Sequence, residues 1–103
     1  MSKYRNIKTE VDGIVFDSKA EAKRYAELRL LEKANEISDL RLQPKFNCKI
    51  HGQKICTYRA DFDYYVGGQW VVEDVKGFRT PLYRLKKKLV EALYGIEIRE
   101  VRA

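Results

Sequence analysis

Two alternating runs separated by Gly67-Gly68 limit this chain more than any other feature. Residues 57–66 and 70–76 are rich in β-branched and aromatic side chains, and the two glycines supply the positive φ that a tight hairpin turn needs. The expected result is a pair of adjacent antiparallel strands. Side chains alternate between the faces of a strand. Arg59, Asp61, Asp63 and Tyr65 are therefore expected on one face, and Ala60, Phe62, Tyr64 and Val66 on the other, as the core face. On the second run Asp74 and Lys76 project side by side, about 7 Å apart along the strand, while Val75 and Glu73 point the other way. Pairing through the glycine turn brings Asp61 towards Asp74 and Lys76. Alone, Asp74 and Lys76 read as an ion pair at a sheet end. With further carboxylates converging, they can hold a divalent ion beside a water-activating cation.

The flanking segments carry their own punctuation. Asp12-Gly13 sits between two short alternating segments and predicts a small hairpin over 8–16. Ser18 with Glu21 three residues later makes a capping box, opening a helix over 20–34 in which Ala22, Tyr25, Leu28 and Leu31 form the apolar stripe. Glu21 heads that stripe, so its carboxylate is expected to face the sheet. Residues 37–40 read as a turn into a short strand that Pro44 places at an edge or near its end. Residues 46–50 and 54–58 flank Gly52 as a second hairpin, with the alignment of Cys48 and Cys56 left open. Thr80-Pro81 reads as a cap and first position for a helix over 82–94, in which Leu82, Leu85, Leu89 and Leu93 are expected to be buried. Gly95 stops that helix, and residues 96–101 alternate as a last strand. Residues 1–7, with Lys3 and Arg5, read as a loosely held basic arm.

A chain of 103 residues suits a single domain. No apolar run exceeds three residues, so neither a membrane span nor a secretory signal is expected, and the expected location is the cytoplasm. The 21 Lys and Arg against 15 Asp and Glu leave a net charge of +6, which favours a polyanionic partner such as nucleic acid. His51 between the two cysteines lacks a fourth ligand and any paired CxxC, so free thiols are expected instead of a zinc site.

Hydrolysing a phosphodiester requires an activated water, neutralised non-bridging oxygens and a stabilised leaving oxygen. Asp61, Asp74 and Glu21 with Lys76 would supply this around Mg²⁺, which takes oxygen ligands and keeps several waters. The Val75 carbonyl lies between the two strand side chains as a further ligand. Glu21, then Asp61, then Asp74-Val75-Lys76 resembles the PD-(D/E)XK nuclease pattern. The segments FDSKAEAKRYAEL, YRADFDYY, VVEDVKG and TPLYRLKKKL also resemble a family of small phage proteins described as uncharacterised or as resolvase-like nucleases. The likeness runs from Phe16 to Val101. It implies a restriction-endonuclease-like α/β domain with an αβββαβ core, a mixed and mostly antiparallel sheet flanked by two main helices. It further implies that Asp61, Asp74 and the Val75 carbonyl bind Mg²⁺ (or Mn²⁺), that Lys76 is catalytic, and that Glu21 holds a second metal or orients a bound water. Where the pattern has a proline before its first acid, this chain has Ala60. Asp63 and Glu73 are the competing acids.

Arg84, Lys86, Lys87 and Lys88 form a cationic helix face that, with Arg79, is expected to meet DNA phosphates. Nothing resembles a base-reading motif, so the expected substrate is recognised by shape, as branched DNA in phage recombination or replication would be. Cutting both strands of a branch needs two sites, hence a homodimer. The alternative is a non-catalytic DNA-binding accessory protein on the same fold.

Overall fold

Local signals become local structure in the computed structural model, which describes residues 7–103. The basic arm, with Lys3 and Arg5, falls almost wholly outside the described residues. Asp12 and Gly13 both take positive φ, 54° and 76°, and close a hairpin between β1 (Thr9–Val11) and β2 (Ile14–Phe16). Ser18 caps α1 (Lys19–Lys33), its Oγ accepting from the Glu21 N–H and donating to Glu21 Oε2, both at 3.1 Å. The chain enters β3 (Ser38–Leu42) earlier than its polar start suggests. Asp39 has φ 56°, and the pairing register shifts between Ser38 and Arg41, so a bulge stands where a turn was expected.

β4 (Lys45–Ile50) and β5 (Gln53–Arg59) form a separate two-stranded ribbon, with Cys48 directly opposite Cys56 as free thiols. The run 57–66 is therefore not one strand. β5 ends at Arg59, and β6 (Phe62–Val66) begins in a different sheet. Across the break Ala60 N–H donates to the Pro44 carbonyl at 3.0 Å and Asp61 N–H to the Glu73 carbonyl at 3.1 Å. The alternation is equally good on both sides of the break, which is why periodicity does not reveal it.

Gly67 and Gly68, both at positive φ, turn β6 into β7 (Gln69–Lys76). Thr80 caps α2 (Pro81–Tyr94), and Gly95 ends it at φ 65°. β8 (Ile98–Arg102) closes the described chain. The main sheet runs β3-β6-β7-β8. Its first two pairings are antiparallel and β7-β8 is parallel, so the sheet is mixed. The α1 side chains Ala22, Tyr25 and Leu28 pack with Phe16, Phe62 and Tyr64 in one core, and Tyr83 and Val90 of α2 pack with Phe46, Tyr58, Val72 and Ile98 in the other. Val71 and Val75 lean on the α1 core while Val72 lies in the α2 core, so the helices cover opposite faces of β7. Among the described residues no helix is long and apolar enough to cross a membrane.

Three expectations about burial change. The β6 face carrying Asp63 is not a solvent face, since Asp63 is fully buried, and Val66 on the expected core face is exposed. Leu31 is partly exposed at the end of the α1 stripe. On α2, Tyr83 and Val90 are buried, whereas Leu82, Leu85 and Leu93 are 60%, 63% and 43% exposed and Leu89 is half-buried. The α2 helix meets the sheet through a face about a quarter-turn from its leucine stripe.

Candidate functional site

Three carboxylates are buried on the central strands, and each has a different counterpart. Glu73 faces α1. Arg24 reaches it in a two-pronged contact, Nε to Oε1 at 2.9 Å and Nη2 to Oε2 at 2.6 Å, and the Tyr64 hydroxyl donates to Oε2. That carboxylate is the first cause of the raised Arg24 pKa. Asp63 accepts from the Arg41 guanidinium, with Nε to Oδ1 at 2.9 Å, and from Trp70 Nε1 at 3.0 Å. Both competing acids are thus committed to arginine pairs that hold α1 and β3 to the sheet. Sequence alternation placed Glu73 away from Lys76, as observed, but gave no sign of either arginine.

Asp74 is the third. It lies on the α2 side, takes a hydrogen bond from the Tyr58 hydroxyl on Oδ2, and pairs through Oδ1 with Lys76 Nζ at 3.4 Å. Lys76 Nζ also stands 4.4 Å from the centroid of the Tyr83 ring. Burial and the Asp74 charge push the Tyr58 hydroxyl well above its ordinary range, so it stays a donor. Tyr58 and Tyr83 were not expected at this site. Tyr58 arrives on the β4-β5 ribbon and Tyr83 on α2, and only their tertiary packing brings them together.

Asp61 occupies the break between β5 and β6, where the chain leaves the ribbon for the main sheet. Its Oδ2 accepts the Val75 N–H at 2.7 Å. In a strand a residue's N–H and C=O point to the same edge, so the Val75 carbonyl is directed to the Asp61 side as well. Burial, then hydrogen-bonding contact with Asp74 and the charge of Asp74, raise the Asp61 pKa to about 9. The Val75 N–H opposes the shift, and Glu21 adds to it. Asp61 therefore keeps its proton through neutral pH in the absence of a cation beside it.

Glu21 lines the same cleft as Asp61, a cavity of about 170 Å³ walled by Ile14, Phe16, Leu42 and Phe62. It is half-buried, as its position at the head of the α1 stripe suggested. Among the described residues, however, no three His, Cys, Asp or Glu side chains gather at metal-ligating spacing. The oxygens that the fold brings together are those of Asp61 and Asp74, with the Val75 backbone beside Asp61. An oxygen-only partial shell of this kind suits Mg²⁺, which fills its remaining positions with water.

The basic residues separate into two groups. Arg79, Arg84, Lys87 and Lys88 line one cleft of about 280 Å³ on the outer side of α2, together with Leu85, Glu91 and Glu100. Arg79 pairs with Glu100 at 3.1 Å and Lys87 with Glu91 at 3.4 Å. A neighbouring depression continues from Arg79 through Arg102 to Lys76, which pairs with Asp74. Lys86 does not belong to it. Its Nζ donates to the Thr57 carbonyl at 3.3 Å and ties α2 to the ribbon.

The raised Asp61 pKa has a consequence for stability. Between the ordinary value of 3.8 and about 9 the folded chain holds a proton that the unfolded chain has released. The stabilisation is therefore complete below pH 3.8 and is lost as pH rises towards 9. In chelator, the melting temperature should fall by several degrees between pH 5 and pH 9, and Asp61→Asn should flatten that slope. An unchanged slope in the variant would assign the dependence to another group.

The chain belongs to a family described as a protein of unknown function (DUF1064), whose profile matches residues 1–102. Comparison with curated proteins gave no match.

Proposed function

We propose that this member of the family is a Mg²⁺-dependent endodeoxyribonuclease of the PD-(D/E)XK type, acting on branched DNA. The observation that carries the reading is the approach of Asp61, from outside β7, to Val75 and Asp74 on it, where Asp74 pairs with Lys76. The element order α1-β3-β6-β7-α2-β8, with the β4-β5 ribbon as an insertion, supports the restriction-endonuclease-like αβββαβ arrangement. Asp61, Asp74 and the Val75 carbonyl would hold Mg²⁺ or Mn²⁺, and the ion would supply Lewis acidity for the phosphate and for a bound water. Glu21, on the wall of the cleft beside Asp61, would orient the attacking water. Lys76 places its ammonium against the non-bridging oxygens, where negative charge grows as water attacks phosphorus and the bond to the leaving oxygen breaks. Arg79, Arg84, Lys87 and Lys88 engage phosphates on either side without reading bases.

The test is incubation of the purified protein with a four-way junction and with linear duplex, with chelator, Mg²⁺ or Mn²⁺. Cleavage only with metal, and faster on the junction, is the expected outcome. No cleavage of either DNA under any condition would sink the enzyme reading.

One observation favours the second reading, a DNA-binding accessory protein without activity. Asp74 already has Tyr58 and Lys76 as partners, an arrangement that a purely structural carboxylate would also have.

A further inference from the structure

Cys48 and Cys56 are nucleophilic side chains that the candidate site does not use. They stand directly opposite each other on β4 and β5, where the pairing holds its register from Lys45 and Arg59 up to this pair and shifts only beyond it. Opposite residues of an antiparallel pair have Cα atoms about 4.5 or 5.5 Å apart. Both spacings lie inside the range of about 4.4–6.8 Å that a disulfide spans. The side chains share a face, since Cys48 is buried in the α2 core and Cys56 packs against that core from the facing strand. The neighbouring pair steadies the register. Thr57 Oγ1 donates to Asn47 Oδ1 at 3.2 Å, and the Tyr94 hydroxyl donates to the Asn47 carbonyl at 2.8 Å. A slip by one residue would put the thiols on opposite faces.

We propose that Cys48 and Cys56 form a modification site, a dithiol that a small-molecule disulfide of the oxidised glutathione class converts to a disulfide across the ribbon. Cys56 is the entry point, since it is half-buried while Cys48 is closed to solvent. Its thiolate attacks one sulfur of oxidised glutathione, whose S–S bond breaks and releases one glutathione. The Cys48 thiolate then attacks the Cys56 sulfur, the mixed disulfide breaks, and the second glutathione leaves. Two electrons and two protons pass from the cysteines to the two glutathiones, so the exchange balances. Burial and then the interaction with the Cys56 thiol hold the Cys48 pKa above its ordinary value, while the Lys86 ammonium works the other way. Drawing Cys56 into the mixed disulfide removes the second of these. Lys86, tied to the Thr57 carbonyl beside Cys56, then favours the Cys48 thiolate for the closing step.

The closed bond ties the two strands of the ribbon through a short loop and so restricts the unfolded chain. Tyr58, the next inward residue of β5, donates its hydroxyl to Asp74, so oxidation pins the ribbon beside the candidate site. A fold that already sets the two sulfurs together favours the disulfide more than the unfolded chain does, and by the same cycle the disulfide stabilises the fold. The proposal does not rest on the nuclease reading, and its test contains no DNA.

The test equilibrates the full chain over a series of reduced to oxidised glutathione ratios, folded and in urea, then quenches with acid and measures the intact mass. The expected product has lost two hydrogens, carries no glutathione, and yields a cross-linked Cys48–Cys56 peptide on digestion. The folded chain should favour the disulfide at least ~10-fold more than the chain in urea, and the oxidised form should melt several degrees above the reduced one. Cys48→Ala should stop at a glutathione adduct on Cys56, and Cys56→Ser should leave Cys48 unmodified. The wild-type comparison stands without either variant, should one fold poorly. The proposal is overturned if the thiols of the folded chain stay free, if the wild-type product stops at the glutathione adduct, or if the cysteines link two chains. Equal midpoints for the folded chain and the chain in urea also overturn it, because the fold would then contribute nothing to the bond.

Discussion

Replacing Lys76 with alanine should lower the rate of DNA cleavage at least ~100-fold while DNA affinity stays nearly unchanged. Among the described residues Lys76 is the cation that pairs with the buried Asp74, at 3.4 Å, and it is steadied by the Tyr83 ring. In the proposed reaction its place is beside the reacting phosphate, whereas the cationic cleft that would provide most of the affinity is lined by Arg79, Arg84, Lys87 and Lys88. An interaction made mainly in the transition state lowers turnover without weakening binding. The measurement is single-turnover cleavage of a four-way junction alongside binding in chelator at fixed salt. Melting of the variant is the control, because the Asp74 carboxylate keeps its Tyr58 hydrogen bond and its contact with Asp61 but loses its cation once Lys76 is gone. If cutting and binding fall together, Lys76 is a docking residue. If neither changes, Asp74 and Lys76 are the ordinary ion pair that their spacing also allows.

The second large effect concerns stability. Arg24→Ala should destabilise the fold by about 3–5 kcal/mol, because it strands the Glu73 carboxylate, which is fully buried, with the Tyr64 hydroxyl as its remaining close donor. For a chain of this size that is a drop of ~12 °C or more in melting temperature. The loss reflects an uncompensated buried charge more than the net worth of the pair. Changing both partners to apolar residues of similar volume, Arg24→Met with Glu73→Leu, should therefore recover much of it. Arg41→Ala is the useful comparison. Arg41 is 61% exposed, and Asp63 keeps its Trp70 hydrogen bond, so water can partly replace the guanidinium and the cost should be smaller. Urea denaturation of the three variants separates these cases. A mild effect of Arg24→Ala would mean that Glu73 takes up a proton or finds another donor once the arginine is removed.

Much of the architecture is legible in short stretches of chain. Asp12-Gly13, Gly67-Gly68 and Gly95 occupy positive φ where backbone sterics favour such residues, and Ser18 and Thr80 cap the helices that follow them. Alternation along β7 is also local, so Asp74 and Lys76 on one face and Glu73 on the other follow from the pleat alone. The approach of Asp61 to Asp74 was legible because the glycine turn sets the pairing of the two strands.

Other features depend on which surfaces meet, and no local pattern carries that information. The alternating run 57–66 breaks at Ala60-Asp61 because its two halves serve different sheets, yet its period is the same on both sides. Parallel pairing sets Asp74 opposite Glu100, whose carboxylate is held by Arg79 and Tyr83, a register that arises only when α2 has crossed over the sheet. Arg24 and Arg41 find Glu73 and Asp63 across 49 and 22 residues of chain. The α2 stripe is the plainest case. Its period marks an apolar face, but period does not say what the face touches. Tyr83 and Val90 fill the space over Val72 and Ile98, so the leucines are turned outward. A helical repeat reports that a surface must be covered, and only the packing of the whole chain decides whether its own sheet covers it.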